Sequence, residues 1–285
     1  MVFTKLQSVG NDFVLIETND LTYDWESLSK AMCDRKFGIG ADGLLLLVPS
    51  LKADFGMRMF NPDGTESEAC GNGLRCLIKY IADIKLAGKE DSNLNIDTIA
   101  GVRKAIFVRK EGKADMIQAS MGIPEFDTAK IPVAIDNNRG RIVASRLITE
   151  YPLTIDNIDL LLSFVSMGNP HAVYFQKKPV REFPLARIGP LVENYIAFPK
   201  HINFEVAEIV SRGQIEVRVW ERGAGETLGC GTGACAVAVC AILLGYTDNA
   251  VVVILPGGKL RVEWDGKGEV LLSGVAEIVF RGDWK

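Results

Sequence analysis

At 285 residues, with 48% hydrophobic and 24% charged content, the chain has the composition of a soluble globular protein and length enough for two cores. A net charge of −4 with no Lys/Arg run argues against a nucleic-acid partner, and the opening MVFTKLQSVGNDF lacks the basic-then-apolar pattern of an export signal. The longest apolar helical stretch, 234–244, is well short of the roughly 20 residues that span a bilayer, so no membrane association and a cytoplasmic location are expected. In chain order, alternating or apolar runs predict strands at 3–7 and 12–18, a helix over 24–36, and strands at 43–48 and 55–60. A helix over 73–88 follows, with Leu74, Leu77, Ile78, Ile81 and Ile84 on one face, Lys79 and Lys85 outward, and Gly88 as its stop. Further strands are read at 104–110, 171–175, 204–210, 215–221, 251–255, 260–264 and 269–280, with helices over 184–194 and 233–245. The last helix is apolar almost all round, ACAVAVCAILL, so a sheet should wrap it.

Sliding the chain on itself until Cys70 meets Cys230 lays 57–73 over 217–233 without a gap. Arg58, Glu66, Cys70, Gly71 and Gly73 then fall on Arg218, Glu226, Cys230, Gly231 and Gly233. Upstream, GNDFVLI from Gly10 answers GNPHAVY from Gly168 at nearly the same offset. The chain therefore reads as two related lobes, 1–121 and 122–272, with the final strand in 273–285 returning to the first.

Each repeated cysteine opens a glycine-broken turn into a helix, where unpaired N–H groups and the positive end of the dipole favour a thiolate. Those amides suit a carboxylate, and they stabilise the charge that builds on it when an α-proton leaves. Inverting a stereocentre requires a base on one face and an acid on the other, a symmetry that two equivalent thiols supply. Either cysteine alone would pass for a small residue at a tight turn; the pairing points to catalysis. Cys76, Cys235 and Cys240 read as small apolar filler, and the lack of close-set Cys or His ligands argues against zinc. The halves differ where Asn61 and Pro62 face Glu221 and Arg222, and where Phe13 faces His171. An acid, a guanidinium and an imidazole thus attend one sulfur only, suited to tuning a thiol or clamping a carboxylate. Asn11 and Asn169 follow the matching glycines, where Asn is a common turn former, and His201 reads as solvent-facing or structural.

GNDF at Gly10, FNPDG at Phe60, ACGNG at Ala69, MGNPH at Met167, the pair Ile202-Asn203, WERG at Trp220 and GCGTGACA at Gly229 together resemble the diaminopimelate epimerase family in order and spacing. The resemblance implies an α+β fold of two pseudosymmetric lobes, each a mostly antiparallel sheet curled around a central helix. It implies epimerisation of LL-2,6-diaminopimelate to the meso form, in lysine and peptidoglycan precursor synthesis, by a homodimer with no cofactor. Cys70 and Cys230 would be the acid and base, with His171 and Glu221 tuning them. Gly71, Asn72, Gly231 and Thr232 would present amides to the reacting carboxylate, and Asn11, Asn61, Asn169, Asn203, Glu221 and Arg222 would hold the polar ends of the substrate. The sequence departs from many members at Leu6, Gln7 and Ser8, and Gly43 stands where some carry glutamine. A related racemase of another amino acid, such as histidine, remains the nearest alternative. A carboxylate-binding protein, which would not need both thiols, and a redox protein working through a Cys70–Cys230 disulfide stand further off.

Overall fold

The computed structural model describes residues 1–67, 70–86, 92–136, 139–144 and 147–285, which leaves Ala69 and the helix stop read at Gly88 outside the described residues. The elements fall into two compact units, Met1–Ser120 with Ser273–Lys285, and Met121–Leu272.

In the first unit, strand Val2–Ser8 turns back antiparallel onto Asn11–Glu17. Helix α1, Trp25–Cys33, starts at Asp24, whose carboxylate accepts from the Ser27 N–H at 3.0 Å. It makes the crossover that lets Gly43–Val48 run parallel to Asn11–Glu17. Gly43–Val48 pairs antiparallel with Phe55–Phe60, and helix α2, Gly71–Tyr80, crosses over to Asn93–Thr98, parallel to Phe55–Phe60. Gly101–Lys110 and Lys113–Ser120 extend the sheet antiparallel, and Glu277–Asp283 pairs with Val2–Ser8.

The second unit repeats the same order. Tyr151–Ile155, Ile158–Ser166 and Pro170–Gln176 form an antiparallel meander, and helix α3, Leu185–Glu193, crosses over to the parallel strand Asn203–Ser211. Gln214–Glu221 returns antiparallel, helix α4, Gly231–Leu243, crosses over to the parallel strand Ala250–Leu255, and Gly258–Glu263 closes the series antiparallel. The repeat seen in the sequence is thus a repeat of strands, crossovers and helices. Strands at 93–98, 113–120, 151–155 and 158–166 lie outside the runs read from sequence.

Strand Gly43–Val48 is covered on both faces, which explains the unbroken apolar run GLLLLV. Leu44, Leu46 and Val48 pack with Trp25, Leu28 and Met32 of α1, whereas Leu45 and Leu47 pack with Leu74, Leu77 and Ile78 of α2. Helix α2 touches strands at both ends of its sheet, including Val2–Ser8, Phe55–Phe60 and Lys113–Ser120, so the sheet curls around it. Helix α4 is enclosed in the same way, and every residue from Gly231 to Ala241 is buried. Enclosure corrects the reading of Lys79 as outward. It is buried, and its ammonium bonds the Ala114 carbonyl and pairs with Asp83 at 2.9 Å. Lys85 stays near the surface beside Glu17, in a last turn, Ile81–Lys85, that is a π-helix. No helix among the described residues is long and apolar enough to cross a membrane.

Candidate active site

Cys70 and Cys230 occupy the N-cap positions of α2 and α4, with extended backbone at φ −146° and −110°. Their sulfurs take the place of the usual Ser or Asp oxygen: Cys70 Sγ accepts from the Gly73 N–H at 3.2 Å, and Cys230 Sγ from the Gly233 N–H at 3.4 Å. The glycines have a packing reason. A Cβ at Gly73 would lie 3.0 Å from Leu45 Cδ2, and one at Gly233 would lie 3.0 Å from Glu205 Oε1, with the capping sulfur 3.4 Å away in both cases.

The approach to each cysteine is fastened alike. Arg58 grips Glu66 through Nε and Nη2, and Arg218 grips Glu226 at 2.8 and 3.0 Å through the same two nitrogens. Arg218 also donates to the Val180 and Phe183 carbonyls. Such two-pronged pairs fix the strand against the turn four residues ahead of the sulfur.

In the first unit, Asn11 Nδ2 donates to Asp42 at 2.7 Å, and its Oδ1 accepts from Asn72 Nδ2 at 3.2 Å. Asn72 Oδ1 in turn accepts from the fully buried Arg75, whose Nε donates to Ser8 Oγ at 3.1 Å. Arg75 and Ser8 were not singled out in the sequence as site residues. Asn61 stays within its own turn, bonded to Thr65 Oγ1 at 3.0 Å.

In the second unit, Asn169 Nδ2 donates to Thr232 Oγ1 at 3.2 Å, and Thr232 Oγ1 lies 3.4 Å from Cys230 Sγ. His171 Nε2 meets Asn169 Oδ1 at 2.9 Å, and His171 Nδ1 meets Glu205 Oε1 at 2.7 Å, with both side chains fully buried. The ladders place Phe13 opposite Gly43 and His171 opposite Asn203, so Phe13 and Leu45 of one unit answer His171 and Glu205 of the other. Glu205 escaped the sequence reading because it sits in an alternating strand as an ordinary polar position. Asn203 bonds the backbone on both sides, donating to the Pro170 carbonyl at 2.7 Å and accepting from the Arg222 N–H at 2.9 Å. The Arg222 guanidinium is exposed and reaches the Lys200 carbonyl. His201 is exposed.

Glu221 accepts from Thr227 Oγ1, and its carboxylate acts on the Cys230 thiol. For Cys230 the helix start does not prevail. Burial, then the Glu221 carboxylate, hold its thiol well above the usual range; Glu205 acts in the same direction, and the Thr232 hydroxyl opposes them. Cys76 and Cys240, fully buried on their helices, are pushed up by burial, as inert filler should be. Among the described residues, no group of three or more His, Cys, Asp or Glu side chains is set to hold a metal ion.

This duplicated fold recurs in solved structures of epimerases and their relatives. A hydroxyproline epimerase from Agrobacterium vitis matches with a TM-score of 0.71 at 13% identity, over 99% of this chain and 91% of that one. A PhzF-family phenazine biosynthesis protein from Bacillus anthracis matches with a TM-score of 0.68 at 17% identity, over 99% and 98%. These matches define the class of fold, two matching half-folds, and in this chain each half carries a cysteine at the same helix start. Sequence narrows it. The family model described as diaminopimelate epimerase matches residues 3–126 and 163–279. Relatives named diaminopimelate epimerase from Acetivibrio thermocellus and Desulfovibrio desulfuricans are 43% and 44% identical, over 99% of this chain and 98% and 97% of theirs. The chain belongs to the diaminopimelate epimerase family.

Proposed function

We propose that this chain epimerises LL-2,6-diaminopimelate to meso-2,6-diaminopimelate, a step toward lysine and peptidoglycan precursors, without a cofactor. The observation that carries the reading is a cysteine sulfur capping an enclosed helix in each of two matching half-folds, in a chain of this family. One thiolate removes the α-proton while the other sulfhydryl delivers a proton to the opposite face of the carbanion. The two cysteines thereby exchange protonation states, and the reverse reaction starts from the product form.

In this reading the helix-start amides of Gly71, Asn72, Gly231 and Thr232 receive the substrate carboxylate and the charge that spreads onto it. Asn11, Asn61, Asn169, Asn203, Glu221 and Arg222 serve the polar ends of the substrate. The Asn72 and Thr232 side chains, already bonded to Asn11 and Asn169, support that geometry. Burial and Glu221 favour the protonated form of the Cys230 thiol, which suits it to deliver a proton. His171 and Glu221 adjust that balance. The enzyme is further proposed to be a cytoplasmic homodimer.

Exchange of the α-proton in heavy water tests the mechanism, with wild type, Cys70→Ser and Cys230→Ser compared on LL-diaminopimelate. Inversion should collapse in both variants; near-normal inversion in either would remove the two-base mechanism. Faster turnover of a simple amino acid than of diaminopimelate would remove the substrate assignment.

A further inference from the structure

We propose that Glu205 is a positioning residue for this site: it fixes the protonation of the His171 ring, and through it a one-way chain of hydrogen bonds that ends on Cys230 Sγ. The inference rests on the epimerase reading for its purpose but not for its geometry. Asn169 turns its Nδ2 toward Thr232, so its Oδ1, an acceptor only, faces His171 Nε2. Nε2 therefore carries a hydrogen. Thr232 Oγ1 accepts from Asn169, which leaves its own hydrogen for Cys230 Sγ at 3.4 Å. The donors thus run from His171 to Asn169 to Thr232 to the sulfur, joined there by the Gly233 N–H.

What holds Nε2 protonated is the partner on the other ring nitrogen. Glu205 Oε1 shares one proton with Nδ1 at 2.7 Å, and Nε2 keeps its hydrogen whichever of the two atoms holds that proton. Glu205 Oε2 has no hydrogen-bond partner among the described residues, and burial raises the carboxyl against the opposing pull of His171. Both features suit an acid that lends its proton to the ring.

The charged groups that act on Cys230 are Glu221 from Gln214–Glu221 and Glu205 from Asn203–Ser211, opposed by the Thr232 hydroxyl from α4; His171, from Pro170–Gln176, reaches it through Asn169 and Thr232. Both carboxylates oppose a thiolate there, as does burial. The relay supplies the opposing donors, without which Cys230 would rarely serve as base when its turn comes. At the equivalent place in the first unit stand Phe13 and Leu45, so the histidine–carboxylate pair belongs to the Cys230 side.

The two possible effects of Glu205 have opposite signs, which makes the test decisive. A carboxylate acting only as a nearby charge raises the Cys230 thiol, so its loss would lower it; a carboxylate acting through the ring supports the thiolate, so its loss would raise it. The rate of Cys230 alkylation by iodoacetamide against pH, located by mass spectrometry in a Cys70→Ser background, reads this titration without substrate. Glu205→Leu should move the titration up by about one pH unit, a tenfold loss of thiolate at fixed pH. Glu205→Gln should titrate like the parent, because its amide can donate to Nδ1 and keep Nε2 protonated. The double variant His171→Phe with Glu205→Leu copies the packed pair of the first unit and guards against a folding failure of the single change; it should shift upward as well. An unchanged or lowered titration in the Leu variants, or a Gln variant shifted as far as Leu, overturns the proposal. Absence of α-proton exchange by the wild type would sink the epimerase reading while leaving this result to stand or fall by itself.

Discussion

Replacing each helix-start glycine with alanine should expose the difference between the two halves. At both positions alanine gains up to about 1 kcal/mol of helix propensity. At both, the new methyl would also meet a neighbour at 3.0 Å, several tenths of an ångström inside ordinary contact. The neighbours differ in freedom. Leu45 Cδ2 ends a flexible side chain and can rotate aside, so Gly73→Ala should stay within about 1 kcal/mol of wild type. Glu205 Oε1 is pinned by His171 at 2.7 Å in a fully buried place, so overpacking there should cost about 1–3 kcal/mol. Set against the propensity gain, the net destabilisation of Gly233→Ala is about 0–2 kcal/mol, or a melting point lower by roughly 2–4 °C per kcal/mol. Urea and thermal melts of the two variants beside wild type measure this, with inversion rates taken on the folded proteins. If Gly233→Ala proved as stable as Gly73→Ala, Glu205 would not be the rigid wall described here.

Arg218→Lys should weaken the protein more than Arg58→Lys, because lysine forfeits both the forked grip on Glu226 and the bonds to the Val180 and Phe183 carbonyls, and urea midpoints of the two variants compare them directly. Glu226→Gln keeps the shape of that pair without its charge, so stability should change by less than about 1 kcal/mol; a larger loss in its urea midpoint would mean that the partly exposed pair carries more of the fold than its surroundings imply. Acid should release a separate contribution at Asp12, where burial works to raise the carboxyl but the bonds from Arg35, Lys5 and Asp42 prevail and bring it to about 2. A depressed carboxyl stabilises the fold above its unfolded value of 3.8, and that contribution fades as pH falls from there toward about 2. Asp12→Asn should flatten this part of the stability curve in acid titrations, and an unchanged acid limb would count against the cluster.

Many of the strands, the helices α1 to α4 and the two capping cysteines could be read from residues 1–285 because each depends on local pattern or on self-similarity, whereas strands such as 93–98 and 151–155 could not. GLLLLV read as a strand, and the structure shows both its faces covered, while ACAVAVCAILL already declared a helix with no solvent face. The aligned pairs Arg58 with Glu66 and Arg218 with Glu226 became the same two-pronged grip in each half. Periodicity, however, reports only which residues share a face, never what covers it. In FEVAEIV the alternation sets Glu205 opposite Phe204 and Val206, which reads as a polar outer face; the structure lays α4 over that face and turns Glu205 into a buried partner of His171. Lys79 follows the same logic on α2, polar by spacing yet enclosed by the sheet that curls past it. Cys230 shows it in chemistry, since a helix start alone lowers a thiol, whereas burial beside Glu221 raises it. The chain by itself determined most of its elements, their duplication and the sulfur at each helix start. Tertiary structure alone decided which polar groups lost their water, because that depends on a second layer contributed by residues far along the chain.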